Sequence, residues 1–170
     1  MHKMENKDQI VFSDKLIEQF KEQISHYPEG KERSATLSIL FIVQEEYGWL
    51  SVPLMDKVAE YLHLEPIQVY EVATFYSMYN LKPVGKYKLE FCRTSCCCLR
   101  GAEDILEYTL DKLGIKEGET TEDGLFTVTT AECLGACGYA PMMQVGENYI
   151  ENLTKESIDE FIDSHRKSSN

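Results

Sequence analysis

The sequence predicts an α+β chain: a bundle of four helices over residues 1–82, then a small mixed α/β domain over residues 83–170. Three observations predict it. Apolar residues recur at helical spacing through the first half. Pro83 and Gly85 in "NLKPVGKY" break that pattern and mark a boundary. Beyond them, short alternating segments interleave with two amphipathic helices, the order of a four-stranded sheet with helices to cover it.

In the first half, "FSDKLIEQFKEQISHYP" opens with Ser13 as an N-cap, and Phe12 and Ile17 are placed to form a hydrophobic staple. Leu16, Ile17, Phe20 and Ile24 form its apolar stripe. "YPEGKE" is a turn. "RSATLSILFIVQEEYG" is a second helix ended by Gly48. Its run from Leu37 to Val43 is apolar nearly all round, so it is expected to be the most buried helix. "SVPLMDKVAEYLHL" starts at Ser51 with Pro53 in its first turn, and "EPIQVYEVATFYSMY" starts with Pro66. Short loops between four such helices argue for a bundle. Phe75, Tyr76 and Tyr79 make an aromatic stripe on the fourth helix, expected as interhelical core, with a docking face as the alternative.

In the second half, "YKLEF" alternates as a strand, "GAEDILEYTLDKLG" is an amphipathic helix ending at Gly114, and "KEGETTEDG" is a polar loop. "LFTVTTAE" is a strand rich in β-branched residues. "PMMQVGENYIENL" reads as two strands joined at "GEN". "TKESIDEFIDSHRK" closes the chain as a helix with Thr154 and Ser157 as caps, and the tail "RKSSN" is expected to fray. No internal repeat is present.

The chain has 170 residues, 43% hydrophobic and 27% charged, which is ordinary for one large or two small globular domains. The longest apolar run, "ILFIV", is far short of the ~20 residues that cross a bilayer. The polar N-terminus does not read as a secretory signal, so a cytoplasmic location without membrane insertion is expected. The net charge of −12 is spread over both halves. With no basic stripe, nucleic acid is not an expected partner. Beyond a solvated surface, such acidity suits a more basic protein partner.

The chemistry concentrates in the cysteines. All six lie in two loops: Cys92, Cys96, Cys97 and Cys98 in "FCRTSCCCLRG", and Cys133 and Cys137 in "ECLGACGYAP". Thiols in a reducing compartment more often bind metal or do redox chemistry than form disulfides. Two loops leaving one sheet edge can gather four thiolates. Gly135 permits the tight C-x3-C loop. On spacing alone, Cys92 can pair with Cys96, Cys97 or Cys98. Four-cysteine sites divide between structural zinc, which favours tight C-x2-C knuckles absent here, and iron–sulfur clusters. The wider loops suit a [2Fe–2S] unit better. A Rieske centre needs two histidines; His2, His26, His63 and His165 all lie outside the cysteine region and are expected as surface or packing residues. A thiol–disulfide oxidoreductase favours C-x-x-C, and no pair has that spacing.

"CRTSCCCLRGAEDILE" followed by "TVTTAECLGACGYAPMMQV" closely resembles the small [2Fe–2S] subunit of NADH:quinone oxidoreductases, the 24 kDa type. "YGWLS" and "VYEVATFYSMY" resemble that family's preceding helical portion, so the likeness runs over roughly residues 12–165. It implies an α+β architecture, an N-terminal helical bundle followed by a thioredoxin-like [2Fe–2S] ferredoxin domain. The family's C-x4-C and C-x3-C pattern maps the cluster ligands onto Cys92, Cys97, Cys133 and Cys137. Cys96 departs from the pattern, where proline or a small residue is usual, and Cys98 is a further extra. Both are expected to pack the loop, and three adjacent thiols would leave the cluster-free form easily oxidised.

In thioredoxin-like folds a cis proline often follows the second ligand loop, which makes Ala140-Pro141 a candidate; Arg93, Thr94 and Arg100 lie beside the first ligands in sequence, where a side chain or backbone N–H of any of them can donate to cluster sulfurs. Tyr139, Met142 and Met143 would fill the core or cover the cluster. A one-electron centre without a nucleotide motif cannot oxidise NADH alone. The family therefore implies a flavoprotein partner that binds FMN and NADH, within a larger respiratory assembly whose peripheral arm lies at the inner membrane face. Catalysis belongs to that NADH dehydrogenase assembly rather than to this polypeptide alone. The alternatives are the matching subunit of an NAD-linked hydrogenase or formate dehydrogenase, or a four-cysteine zinc-binding module.

Overall fold

The computed structural model describes residues 7–167. They divide into two compact units, the first ending at Pro83 and the second beginning at Val84.

The first unit is built from four helices: α1 (Asp14–Ser25), α2 (Thr36–Tyr47), α3 (Val52–Tyr61) and α4 (Pro66–Phe75). Their starts are local chemistry. The Leu16 N–H donates to Ser13 Oγ at 3.3 Å and the Leu54 N–H to Ser51 Oγ at 3.4 Å. Glu65 and Gln68 form a capping box at α4. Gly48 sits in the left-handed region with φ 81°, which ends α2 without the penalty a Cβ would bring. Phe20, Ile39, Leu40, Val43, Val58 and Val69 are fully buried. Phe12 and Tyr61 each meet Phe20 edge-on at 5.2 Å between ring centres.

Two expectations for this unit are corrected. Helix α2 is not the most buried of the four: it buries Thr36, Ile39, Leu40 and Val43, while the shorter α3 buries as many in Leu54, Met55, Val58 and Ala59, and Phe41 of α2 is exposed. Helix α4 stops at Phe75 rather than Tyr79, with Tyr76 already extended at φ −97°, ψ 121°. Long-range bonds hold the backbone off the helical path there. Gln44 Nε2 donates to the Met78 carbonyl at 3.0 Å, Gln44 Oε1 accepts the Asn80 N–H, and Tyr79 Oη donates to the Leu37 carbonyl at 2.7 Å. The aromatic stripe splits accordingly: Tyr79 is core, whereas Phe75 is 79% exposed and Tyr76 is exposed beside it.

The second unit runs β1 (Tyr87–Cys92), α5 (Ser95–Leu99), α6 (Ala102–Leu113), β2 (Phe126–Ala131), β3 (Met143–Val145), β4 (Asn148–Ile150) and α7 (Lys155–Lys167). The sheet order is β2-β1-β3-β4. Strands β1 and β2 are parallel, with Tyr87 opposite Phe126 and Cys92 opposite Ala131, while β3 and β4 run antiparallel. A parallel pair needs a crossover, and α5 with α6 supplies it. The β3–β4 hairpin turns through Gly146 and Glu147 with Gly146 at φ 59°. Leu89, Phe91, Phe126, Val128 and Met143 from the sheet pack with Ile105 of α6 and with Ile158 and Ile162 of α7. Thr154 and Ser157 cap α7 reciprocally.

Helix α5 was not expected; the cysteine run reads as loop in sequence but forms one helical turn. Arg166 and Lys167 are helical rather than frayed, and the rest of that tail, like His2, lies outside the described residues. His165 packs between Phe161 and Tyr87, with ring centres at 4.0 and 4.5 Å. Among the described residues no helix is long and apolar enough to cross a membrane.

Candidate metal centre

Strands β1 and β2 end side by side, so the two cysteine loops leave the same sheet edge. Cys92 is the last residue of β1, and its N–H donates to the Met142 carbonyl at 3.2 Å. The Arg93 N–H extends the ladder to the Ala131 carbonyl at 3.0 Å. Three residues after Cys92, α5 begins and carries Cys96, Cys97 and Cys98 in a row. Successive residues of a helix point about 100° apart, so one of the three can face Cys92. Cys97 does: it is fully buried, whereas Cys96 is exposed and Cys98 lies between. Cys92 and Cys97 pack with Ala102, Ala140 and Met142 in a small apolar cluster separate from the main core, with Leu134 and Ala136 of the second loop against it.

The electrostatics follow from this packing. Burial pushes the Cys92 thiol up, but the N–H groups of Thr94 and Leu134 and the Cys97 side chain donate to its sulfur and hold it below the usual thiol value. Burial, the hydrogen bond to Cys92 and the proximity of that sulfur push Cys97 up to about 11. Within this pair Cys97 donates to the Cys92 sulfur.

Cys137 lies in a single 3-10 turn, Cys137–Tyr139. Its side chain is in hydrogen-bond contact with Cys96, which raises its thiol, and it feels the Cys92 and Cys97 sulfurs. Cys133 stands apart from these contacts; its sulfur accepts the Gly135 N–H at 3.4 Å. Gly135, at φ 78°, makes that close return possible. Of the four sequence-assigned sulfurs, the fold pairs Cys92 with Cys97, while Cys133 and Cys137 lie four residues apart in the exposed second loop. Among the described residues no three His, Cys, Asp or Glu side chains are drawn around one point as a single ion requires. Cys92 and Cys97 meet as a pair, whereas Cys137 neighbours Cys96 rather than Cys133. A sulfur-only donor set, half sunk in an apolar cluster at a sheet edge, fits a [2Fe–2S] unit held by four cysteines.

Around these sulfurs, Thr94 contributes its backbone N–H to Cys92. The Arg93 guanidinium is turned to Glu132, with Nε and Nη2 at 3.1 and 2.7 Å from one carboxylate oxygen, and the Arg100 N–H bonds the Cys97 carbonyl. Met142 and Met143 are buried as core, and Tyr139 is exposed. The Ala140-Pro141 bond is cis. The Cys98 thiol donates to the Arg93 carbonyl at 3.2 Å, and burial and Glu103 raise its pKa. Two supports were missed in sequence. The Leu134 N–H reaches Cys92, and Tyr149 Oη donates to the Leu134 carbonyl at 2.8 Å, bracing the second loop. Both depend on residues far apart in the sequence and leave no local signal. Helix α5 did leave one, in Thr94 at its N-cap and Gly101 just past its C-cap.

The family model for thioredoxin-like [2Fe-2S] ferredoxins matches residues 20–166. This chain belongs to that family. A [2Fe–2S] cluster is the family's cofactor. Three relatives, each named as the E-type subunit of an NADH-quinone oxidoreductase, are similar along nearly their whole length. That of Rickettsia felis is 45% identical over 157 residues, 92% of this chain and 94% of that protein. That of Rickettsia conorii is 46% identical over 155 residues, 91% of this chain and 93% of its own. The second such protein of Rhizobium meliloti is 42% identical over 151 residues, 89% of each sequence. Among solved structures, an NAD+-reducing [NiFe]-hydrogenase in its air-oxidized state matches with a TM-score of 0.70 at 19% identity. That match covers 78% of this chain and 23% of the hydrogenase polypeptide, and at that identity the likeness is one of fold.

Proposed function

We propose that this family member is the [2Fe–2S] electron-transfer subunit of an NADH-quinone oxidoreductase, working beside the subunit that holds FMN and NADH. The observation that carries the reading is identity of 42–46% to E-type subunits of that complex along about nine-tenths of the sequence. The hydrogenase likeness, one of fold, does not favour the alternative assembly. The ligands are Cys92, Cys97, Cys133 and Cys137. The residues beyond Pro83 form the cluster domain, and the four-helix unit before it supplies docking surface to the flavoprotein. The protein sits in a peripheral arm at the inner face of the membrane.

When bound, the cluster supplies reversible one-electron chemistry. The protein's own residues prepare for it. Thr94 and Leu134 present N–H groups to the Cys92 sulfur, the kind of contact that tunes an iron–sulfur potential. Ala102, Ala140 and Met142 keep water from the Cys92 and Cys97 side. Cys97, held up to about 11, must release its proton on metal uptake. The exposed Cys133–Cys137 loop leaves the other side open.

The test is anaerobic purification with metal and sulfide analysis and EPR after reduction. The expected result is two irons and two sulfides per polypeptide, as a [2Fe–2S] centre requires. The signal is lost in Cys97→Ser and Cys133→Ser and kept in Cys96→Ser, and the protein copurifies with an FMN-binding partner. One zinc per polypeptide, or rapid electron exchange between soluble carriers with no flavoprotein bound, overturns the reading.

A further inference from the structure

The second cysteine loop leaves β2, one edge of the sheet, and is met by a side chain from β4, the other edge. Tyr149 lies opposite Gln144 in the β3–β4 register, and its Oη donates to the Leu134 carbonyl at 2.8 Å. That carbonyl belongs to the same peptide group as the Gly135 N–H, which donates to Cys133 Sγ at 3.4 Å. A trans peptide group is planar, so its C=O and N–H point in opposite directions. Holding the oxygen on Tyr149 therefore aims the hydrogen at the sulfur. Gly135 itself leaves the direction open: at φ 78°, and without a Cβ, it tolerates the reversed plane as well. Packing does not hold the plane either, since a Cβ added at Gly135 would meet no atom within 4 Å. Leu134 is anchored by its side chain against the Cys92–Cys97 cluster, and the far end of the loop by the Asn152 N–H on the Tyr139 carbonyl at 2.9 Å. The Tyr149 hydroxyl is left to select the orientation of the peptide between them.

We propose that Tyr149 is a positioning residue for the cluster: its hydroxyl keeps the Leu134–Gly135 peptide turned so that the Gly135 N–H serves the Cys133 sulfur. The inference rests on the proposed role of Cys133 as a ligand. Reduction adds negative charge to a sulfur-bound centre, and an N–H aimed at a ligand sulfur offsets part of it. The contact therefore favours the reduced form and raises the potential. Donation from Tyr149 to the carbonyl also polarises the N–H of the same peptide and strengthens its bond to sulfur. With the hydroxyl gone, the plane is free to reverse, which withdraws the N–H and presents the carbonyl oxygen instead. Both changes make reduction harder. Tyr149 is half-exposed, so losing its hydroxyl removes a hydrogen bond and no packing.

Tyr149→Phe removes the hydroxyl and keeps the ring. The full-length variant is expected to hold two irons and two sulfides per polypeptide, and to show a midpoint potential below the parent's in an EPR-monitored redox titration. In the metal-free protein its Gly135 amide hydrogen is expected to exchange about fivefold faster than the parent's, the worth of one neutral hydrogen bond. A loop that is merely looser would speed exchange without moving the potential. A midpoint equal to the parent's at full cluster content overturns the proposal, as does unchanged Gly135 exchange. Should the variant lose its cluster, the metal-free exchange decides alone: faster exchange supports the tie and unchanged exchange refutes it. Iron content of Cys133→Ser separates the two readings: a full cluster there refutes the ligand assignment, whereas cluster loss there with an unmoved Tyr149→Phe midpoint refutes the positioning role alone.

Discussion

Gly85→Ala tests how the second unit is held at its first strand. Gly85 lies two residues before β1, and its φ is not in the left-handed region, so alanine meets no backbone penalty there. The obstacle is space. A Cβ at this position would stand 2.9 Å from the Leu125 carbonyl carbon and oxygen and 3.0 Å from the Phe126 carbonyl carbon. Ordinary contact begins near 3.4 Å, so the overlap is a few tenths of an ångström against backbone that cannot rotate away. The Gly85 N–H also donates to Thr127 Oγ1 at 2.6 Å, and the Tyr87 N–H to the Leu125 carbonyl at 2.7 Å. Relief must push the start of β1 off β2 and stretch those bonds. Overpacking of this kind costs about 1–3 kcal/mol. Amide exchange protection on β1 should then fall by about 5- to 150-fold, since ~1.4 kcal/mol is a factor of ten. Gly138→Ala is the control: it has no atom within 4 Å of the added Cβ and no left-handed φ, and should leave β1 protection unchanged in the metal-free protein. If Gly85→Ala leaves β1 protection within about twofold of the parent, the steric reasoning is wrong.

Phe20→Ala empties the centre of the helical unit, where two rings meet it at 5.2 Å, and should cost that unit about 3–5 kcal/mol by Trp49-detected unfolding. Tyr79→Phe strips the Leu37 carbonyl of its 2.7 Å partner; a loss of about 1 kcal/mol is expected in the same assay. Lys112 Nζ and Tyr108 Oη, at 2.6 and 2.7 Å, hold the Asp159 carboxyl below its ordinary range. A depressed carboxylate contributes stability that is full above the unfolded value of about 3.9 and is lost as pH falls through the folded one. The stability difference between parent and Asp159→Asn should therefore be constant near neutrality and shrink below about pH 4, read from denaturant midpoints across that range. Arg93→Ala should change stability by less than about 1 kcal/mol, because the ion pair with Glu132 is exposed.

Much of the architecture is legible along the sequence because it is local chemistry. Ser13, Ser51, Pro66 and Gly48 mark helix ends within a few residues of themselves, and Gly146 marks the β3–β4 hairpin. The misreadings share one cause. Helix α4 ends early because Gln44, 36 positions away from Asn80, takes the Asn80 N–H with its side chain. Phe75 points outward although it continues an aromatic run whose Tyr79 is core. Neither event is encoded near where it happens.

The cysteine centre divides the same way. Six sulfurs in two loops, spaced for a sulfur-bound cluster and free of nearby histidine, are properties of the sequence as written, since ligand chemistry is carried by residue type and separation. Which of three consecutive cysteines turns inward was decided only when β1 ended, Ser95 opened a helical turn and the parallel pairing with β2 brought the second loop alongside. A helix separates adjacent side chains by about 100°, so that turn buried Cys97, left Cys96 exposed and sent Cys98 to the Arg93 carbonyl.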